Sequence, residues 1–198
     1  MKQYVIKKIT GTPDWSQIPA LTIDTLMWTP PAPVTAQAQI CCNGDGFQVR
    51  MTAHEVHIRA EEKGPTGMPC LDSCLEYFFC PVEGDPRYFN IEFNPNACMF
   101  LGFGTGRADR IRLLPEAIDL APQIERGDGC WRVTCQVPYS LIQVFFPGYA
   151  PRRGDVIRAN CYKCGDLTPA PHYLLWNPST SQTPDYHRSC DFGEMVID

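Results

Sequence analysis

The chain has 198 residues, of which 44% are hydrophobic and 20% are charged, and its net charge at pH 7 is −5. The length favours one domain, and a negative charge without any compensating basic run argues against nucleic acid as a partner. No apolar run approaches the ~20 residues of a membrane-spanning helix, so we expect no membrane partner either. The oligomeric state is left open.

Two strictly alternating segments dominate the first third of the chain. In residues 34–40 and 47–53, apolar side chains alternate with polar ones, which is the pattern of a half-buried β-strand. The intervening Asn43-Gly44-Asp45-Gly46 is a strong turn signal, because Asn-Gly and Asp-Gly both accept positive φ. The sequence therefore predicts a β-hairpin, with a candidate short strand upstream at residues 4–6.

Residues 72–94 form the most distinctive stretch, DSCLEYFFCPVEGDPRYFNIEFN. Proline and glycine near its middle predict two strands joined by a turn. The second strand alternates, with Asn90 and Glu92 on its polar face. The first strand is apolar on both sides apart from Glu76, which predicts a central strand covered on each face. A buried carboxylate there must be hydrogen bonded or meet a ligand, because an unpaired buried charge is costly.

More strands follow in the second half of the chain. Apolar or alternating runs predict them at residues 97–103, 131–137, 157–162 and 192–197. Pro138 should end one strand and begin one or two helical turns over residues 139–146. Arg107, Arg110 and Arg112 form a small basic cluster that we interpret as a solvated rim.

This arrangement of strands and turns, without long amphipathic helices, disfavours a parallel α/β sheet. The sequence predicts an all-β fold, an antiparallel β-sandwich of jelly-roll or immunoglobulin-like type with one short helical segment. We expect residues 1–198 to form a single domain.

Polar side chains on strand faces suggest a binding site for a hydroxyl-rich ligand. Amides and carboxylates such as Asn90, Glu92 and Asn160 can donate to or accept from sugar hydroxyls. Tyr173 and Trp176 would supply an aromatic surface for the apolar face of a sugar ring. An ordinary solvent-facing sheet surface would show the same pattern. His187 is placed at the edge of such a site.

Two other functions stay open at this point. Glu76 and Glu92, on neighbouring strands, are a candidate acid/base pair for glycoside hydrolysis if their carboxyl groups lie roughly 5–9 Å apart. The thiols of Cys161-x-x-Cys164 and Cys70-x3-Cys74 are candidates for metal or redox chemistry, although structural zinc sites usually combine two such pairs. The alternation predicts that Cys161 and Cys164 face opposite sides of their strand.

The eleven cysteines, together with a first segment that lacks the apolar region of a secretion signal, favour a reducing compartment. We therefore expect a cytoplasmic protein with mostly free thiols. A secreted protein whose signal peptide had been removed would begin in the same way.

Six short motifs, in order, make the chain resemble the family 9 carbohydrate-binding modules and the related stand-alone proteins of the DOMON-like β-sandwich group. They cover most of the chain from about Val34 onward, and they are DSCLEYFF, YFNIEFNP, WRVTCQVPYSLI, IRANCYKCGD, HYLLWNP and PDYHRSCDFGEMVI. The resemblance implies a jelly-roll-like sandwich that binds mono- or oligosaccharides without catalysis.

The resemblance also implies a sugar clamped between two tryptophans. Trp176 matches the motif of the second, and Glu76 matches the glutamate of the first motif. No aromatic residue stands just before Asp72, where the first tryptophan should lie, so this half of the clamp is either missing or supplied from elsewhere, with Trp15, Trp28 and Tyr186 as candidates. Family members can carry structural calcium, and no other cofactor is implied. The expected ligand-binding residues are Glu76, Asn90, Glu92, Asn160, Tyr173 and Trp176.

Overall fold

The computed structural model describes residues 1–114, 118 and 120–198. Its strands are β1 (Gln3–Lys8), β2 (Ala20–Ile23), β3 (Thr25–Leu26), β4 (Val34–Cys42), β5 (Gly46–Glu55), β6 (Cys74–Cys80), β7 (Tyr88–Phe93), β8 (Met99–Gly104), β9 (Ile111–Leu113), β10 (Gln123–Gly127), β11 (Cys130–Pro138), β12 (Val156–Cys164), β13 (Tyr173–Leu175) and β14 (Gly193–Ile197). The α-helix α1 spans Tyr139–Phe145, and single 3-10 turns lie at Trp15–Gln17, Pro69–Leu71 and Ser189–Asp191.

The strands form two sheets that are joined along β1. The larger sheet has the order β14-β12-β6-β7-β8-β9, with β13 beside β12 and β3 beside β13. The smaller sheet has the order β10-β11-β5-β4, with β2 beside β4. Strand β1 pairs in parallel with β14 through residues 3–6 and in parallel with β4 through residues 7–8.

The core lies between the two sheets and follows the alternation of the strands. Phe89, Ile91 and Phe93 of β7 point into it, together with Phe47 of β5 and Trp131 of β11. Side chains of this size contribute roughly 1.5–3 kcal/mol each when fully buried, so this layer supplies most of the driving force for folding.

The opposite face of the larger sheet is also covered. The segment of residues 176–192, which we call the covering segment, folds back over β6, β7 and β12. Its Tyr186 stacks on Tyr162 with ring centroids 4.0 Å apart, and its Phe192 meets Phe78 and Tyr88 edge-on. All seven residues of β6 are consequently buried, which confirms β6 as a central strand covered on both faces.

The all-β sandwich and the short helix are confirmed. The β4–β5 hairpin turns where predicted, and the Asn43 side-chain oxygen accepts hydrogen bonds from the backbone N–H groups of Asp45 and Gly46. The sheets are mixed rather than purely antiparallel, because β1 inserts between β14 and β4 and runs parallel to both. No helix among the described residues is long and apolar enough to cross a bilayer.

Candidate ligand-binding site

A cavity of about 170 Å³ opens on the outer face of the larger sheet, beneath the covering segment. Strands β6, β7, β12 and β13 form its floor and one side, and the covering segment forms the other. Its lining residues are Met68, Cys70, Glu76, Glu92, Arg107, Arg110, Cys164, Asp166, Tyr173, Pro184, Asp185, Tyr186 and His187.

Two carboxyl groups lie side by side on the cavity floor. Glu76 and Glu92 are direct partners in the β6–β7 register, and each is only 3% exposed. Burial, together with the nearby Glu92 charge, raises the pKa of Glu76 well above its usual range. Burial also raises the pKa of Glu92, against the opposing effects of the Asn90 amide and the Arg110 guanidinium. The floor therefore resists carrying two negative charges at once.

Glu92 has one satisfied oxygen and one unsatisfied oxygen. The Asn90 amide donates to Oε1 at 2.9 Å, and the nearest Arg110 nitrogen is 3.9 Å from the same atom. Oε2 is buried and has no hydrogen-bond partner. Because buried polar atoms in proteins are nearly always paired, this oxygen is a natural acceptor for a ligand hydroxyl.

Arg110 organises the polar side of the cavity. Its Nη1 donates to Asn90 Oδ1 at 2.6 Å and lies 2.9 Å from His187 Nε2, and its guanidinium lies 4.5 Å from the Phe100 ring centroid. Burial and the charges of Arg110 and Arg107 lower the pKa of His187 to about 3. His187 is therefore neutral at pH 7 and accepts the hydrogen bond from Arg110.

Two tyrosines provide the aromatic part of the lining. Tyr173 is half-buried, and its ring meets Tyr186 edge-on at a centroid distance of 6.1 Å. Trp28 packs behind both rings, at centroid distances near 6 Å. Burial, followed by the charge of Asp166, raises the pKa of Tyr173 to about 12, so its hydroxyl stays protonated.

The Cys164 thiol lines the cavity, and the Cys74 thiol is buried beside it. Cys164 donates to Glu76 Oε1 at 3.0 Å, and Cys74 Sγ lies 3.9 Å from the same oxygen. Cys161 packs in the inter-sheet core instead, which confirms that it and Cys164 face opposite sides of β12. All eleven cysteines lie in the described part of the chain, and all are free thiols.

The structure brings four of the six expected ligand-binding residues together. Glu76, Glu92 and Tyr173 line the cavity, and Asn90 holds Glu92 and Arg110 from the side. Asn160 does not line the cavity, and its side-chain amide is hydrogen bonded to the backbone N–H and carbonyl of Asn177 instead.

Trp176 also lies away from the cavity. It is 3% exposed and packs in the inter-sheet core, so tightly against Gly193 that an added Cβ there would lie 2.6 Å from the indole. Neither face of the ring is open to a ligand, and the stacking role expected for it does not fit this position.

Sequence reasoning missed several cavity residues. Arg110 was expected on a solvated rim, but it is largely buried against Phe100 of β8, because it lies in the connection that pairs β8 with β9 beside the site. Arg107 is exposed at the cavity mouth. Of the three aromatic residues proposed as a replacement for the missing tryptophan, Tyr186 lines the cavity, while Trp15 stacks on Arg50 elsewhere. His187 lies at the site, where it was expected.

Comparison with known proteins identifies the family. A family model described as carbohydrate-binding family 9 matches residues 12–197. The chain belongs to carbohydrate-binding family 9. No curated protein matches it significantly.

Solved structures share the fold of this family 9 member. A candidate carbohydrate-binding protein from Bacteroides uniformis has 23% identity and a TM-score of 0.85, covering 100% of this chain and 99% of that one. A family 9 module from Caldicellulosiruptor kristjanssonii, solved with glucose, has 11% identity and a TM-score of 0.70, covering 100% and 96%. A family 9 module from the same organism, solved with cellotriose, has 11% identity and a TM-score of 0.68. The match covers 99% of this chain and 93% of that one.

Proposed function

We propose that this family 9 protein binds the terminal residue of a mono- or oligosaccharide in the cavity between the larger sheet and the covering segment, without converting it chemically. The observation that carries the proposal is the unpaired, buried Oε2 of Glu92 beside Arg110 and Tyr173. A ligand with several hydroxyl groups and one apolar ring face would pair with Glu92 Oε2 through a hydroxyl and cover the Tyr173 ring with its apolar face.

Three residues of the cavity contact the sugar in this proposal. Glu92 Oε2 accepts a hydrogen bond from a sugar hydroxyl, and the exposed Arg107 at the mouth donates to another. The half-buried Tyr173 ring packs on the C–H face of the sugar, with Trp28 and Tyr186 holding the ring in place. The cavity is small, so it accommodates a single sugar residue and leaves the rest of any chain outside.

Titration calorimetry with a panel of sugars, including glucose and cellotriose, tests the proposal. Tyr173→Ala should weaken binding about 10-fold, since an aromatic contact contributes roughly 0.5–1.5 kcal/mol beyond its burial. Glu92→Gln should weaken it about as much. The matched controls are Trp15→Ala and Glu83→Gln, which remove a ring and a carboxylate far from the cavity and should bind as the unmodified protein does. A panel without any binder, or unchanged affinity in Tyr173→Ala, would refute the assignment.

A glycoside-processing enzyme is the second candidate, favoured by the buried Glu76–Glu92 pair. Glycosidases place their two carboxyl groups on either side of the scissile bond. Here the two groups come from adjacent strands and lie side by side on the cavity floor, which is the wrong arrangement for flanking a bond. Turnover of aryl-glycosides that disappears in Glu76→Gln would nevertheless establish catalysis and displace the binding proposal.

A further inference from the structure

Three potential metal ligands meet beside the cavity floor, and two of them, Glu76 and Cys164, line the cavity. The thiol sulfurs of Cys74 and Cys164 and a carboxylate oxygen of Glu76 all lie within 4.8 Å of one another. Glu76 Oε1 is 3.0 Å from the Cys164 sulfur and 3.9 Å from the Cys74 sulfur. In a tetrahedral zinc site with ordinary bond lengths, neighbouring ligand atoms are roughly 3.5–3.8 Å apart, so only small side-chain shifts separate this cluster from a coordination sphere.

The backbone fixes these three groups in place. Cys74 and Cys164 are direct partners in the β6–β12 register, and Glu76 follows two residues after Cys74 on the same face. Both strands are central in the larger sheet, and all three residues are buried. A ligand set held by two hydrogen-bonded strands loses little conformational entropy when an ion binds.

We propose that Cys74, Cys164 and Glu76 bind a thiophilic transition-metal ion, for which Zn²⁺ is the best match. Two sulfur ligands and one carboxylate suit zinc. They do not suit calcium or magnesium, which prefer shells made of oxygen.

Two of the three proposed ligands border the cavity, so a fourth ligand can reach the ion from there. Glu76 and Cys164 both contribute to the cavity lining, as do Glu92, with its unpaired buried Oε2, and Cys70. A cation here would also offset the repulsion between the two neighbouring glutamates. The proposal concerns an ion rather than a sugar, and it does not depend on carbohydrate binding.

The reduced 198-residue chain can be tested with Zn²⁺ alone. After dialysis against a weak competing chelator, elemental analysis should find one zinc per chain, and Co²⁺ in its place should give a thiolate-to-metal charge-transfer absorption. Cys74→Ser and Cys164→Ser should each lower the affinity at least 10-fold and weaken that absorption, and the double variant should abolish it. Cys190→Ser, which removes the exposed thiol, is the matched control and should change neither measurement.

Glu76→Gln provides a variant that keeps both thiols and the side-chain volume. It should weaken zinc binding while retaining the sulfur charge-transfer absorption with Co²⁺. Circular dichroism of each metal-free variant establishes that it is folded. The proposal is overturned if the folded, reduced protein holds no stoichiometric zinc, or if the Cys74→Ser/Cys164→Ser double variant binds it normally. It is equally overturned if mass spectrometry finds a Cys74–Cys164 disulfide whose reduction creates no zinc site.

Discussion

Tyr173 and Trp176 lie three residues apart and face opposite sides of the larger sheet. In an extended chain, side chains alternate between the two faces, so an odd separation sends two residues in opposite directions. Tyr173 accordingly reaches the cavity, whereas Trp176 enters the inter-sheet core. The expectation that both rings would form one aromatic surface was wrong for this reason, and in the proposed site Tyr173 alone contacts the sugar from this strand.

Trp176→Phe should separate folding from binding. The smaller ring leaves a cavity beside Gly193 in the core, and we expect a loss of about 1–3 kcal/mol in the free energy of unfolding. The affinity for sugar should change less than twofold, because Trp176 does not line the cavity. Urea unfolding and calorimetry measure the two quantities.

Tyr173→Ala is the complementary control, with a small change in stability and a large loss of affinity. A Trp176→Phe protein that is fully folded yet binds sugar much more weakly would contradict the assignment of Trp176 to the core alone.

Among the larger elements, the covering segment is cross-linked internally by one carboxylate. Asp191 accepts hydrogen bonds at 2.9 Å from the Ser179 hydroxyl, the Thr180 backbone N–H and the Arg188 guanidinium. Burial opposes ionisation, but these hydrogen bonds prevail and lower the pKa of Asp191 to about 2. The same segment carries Tyr186 and His187, so this internal cross-link also supports one side of the cavity.

Asp191→Asn should loosen the covering segment. The folded-state pKa lies below the usual 3.8, so the ionised group stabilises the fold by about 2 kcal/mol above pH 4. That contribution is lost as the pH falls from about 4 to about 2. The variant should therefore be less stable at pH 7, and its stability should converge with that of the unmodified protein in acid.

The sugar affinity of Asp191→Asn should also fall, because Tyr186 and His187 lose their support. Asp24→Asn is the control, since Asp24 is an exposed carboxylate paired with Lys2 on the surface and such pairs contribute little. An unchanged stability difference between pH 7 and pH 2 would show that Asp191 does not act through its charge.

The sequence was most informative where local pattern decides structure. Alternation predicted β4, β5, β7 and β11, and Pro138 predicted the beginning of α1, because these signals act over a few residues. The parallel pairing of β1 was not predictable, since it depends on where distant strands leave open edges.

The residues of the site also divide into those with a local sequence signal and those brought together only by the fold. Glu76, Asn90 and Glu92 could be identified from their strands, because a polar face on a buried strand is a local signal. Arg110 and its contact with His187 join residues 77 positions apart, and only the completed fold brings them together.

At the scale of the whole molecule, a buried ion pair joins the two sheets. Lys163 of β12 lies 3.2 Å from Glu55 of β5, and both side chains are almost fully buried. Both charged groups have further hydrogen-bond partners. Glu55 also accepts from Trp131 and Ser73. Lys163 donates to the Cys164 carbonyl and to His172. Burial and the Lys163 charge lower the pKa of His172 to about 4, which keeps its Nε2 available as an acceptor.

A double-mutant cycle on Glu55 and Lys163 measures this connection between the sheets. Lys163→Met leaves a carboxylate buried without its cation, and Glu55→Gln leaves the ammonium without its anion, so each change should cost about 3–5 kcal/mol of unfolding free energy. The double variant removes both charges and should cost clearly less than the sum of the two. The exposed pair Lys2–Asp24 is the matched control, with an expected coupling of about 0–1 kcal/mol. Additive losses at Glu55 and Lys163 would mean that the charge–charge interaction of this pair does not contribute to holding the two sheets together.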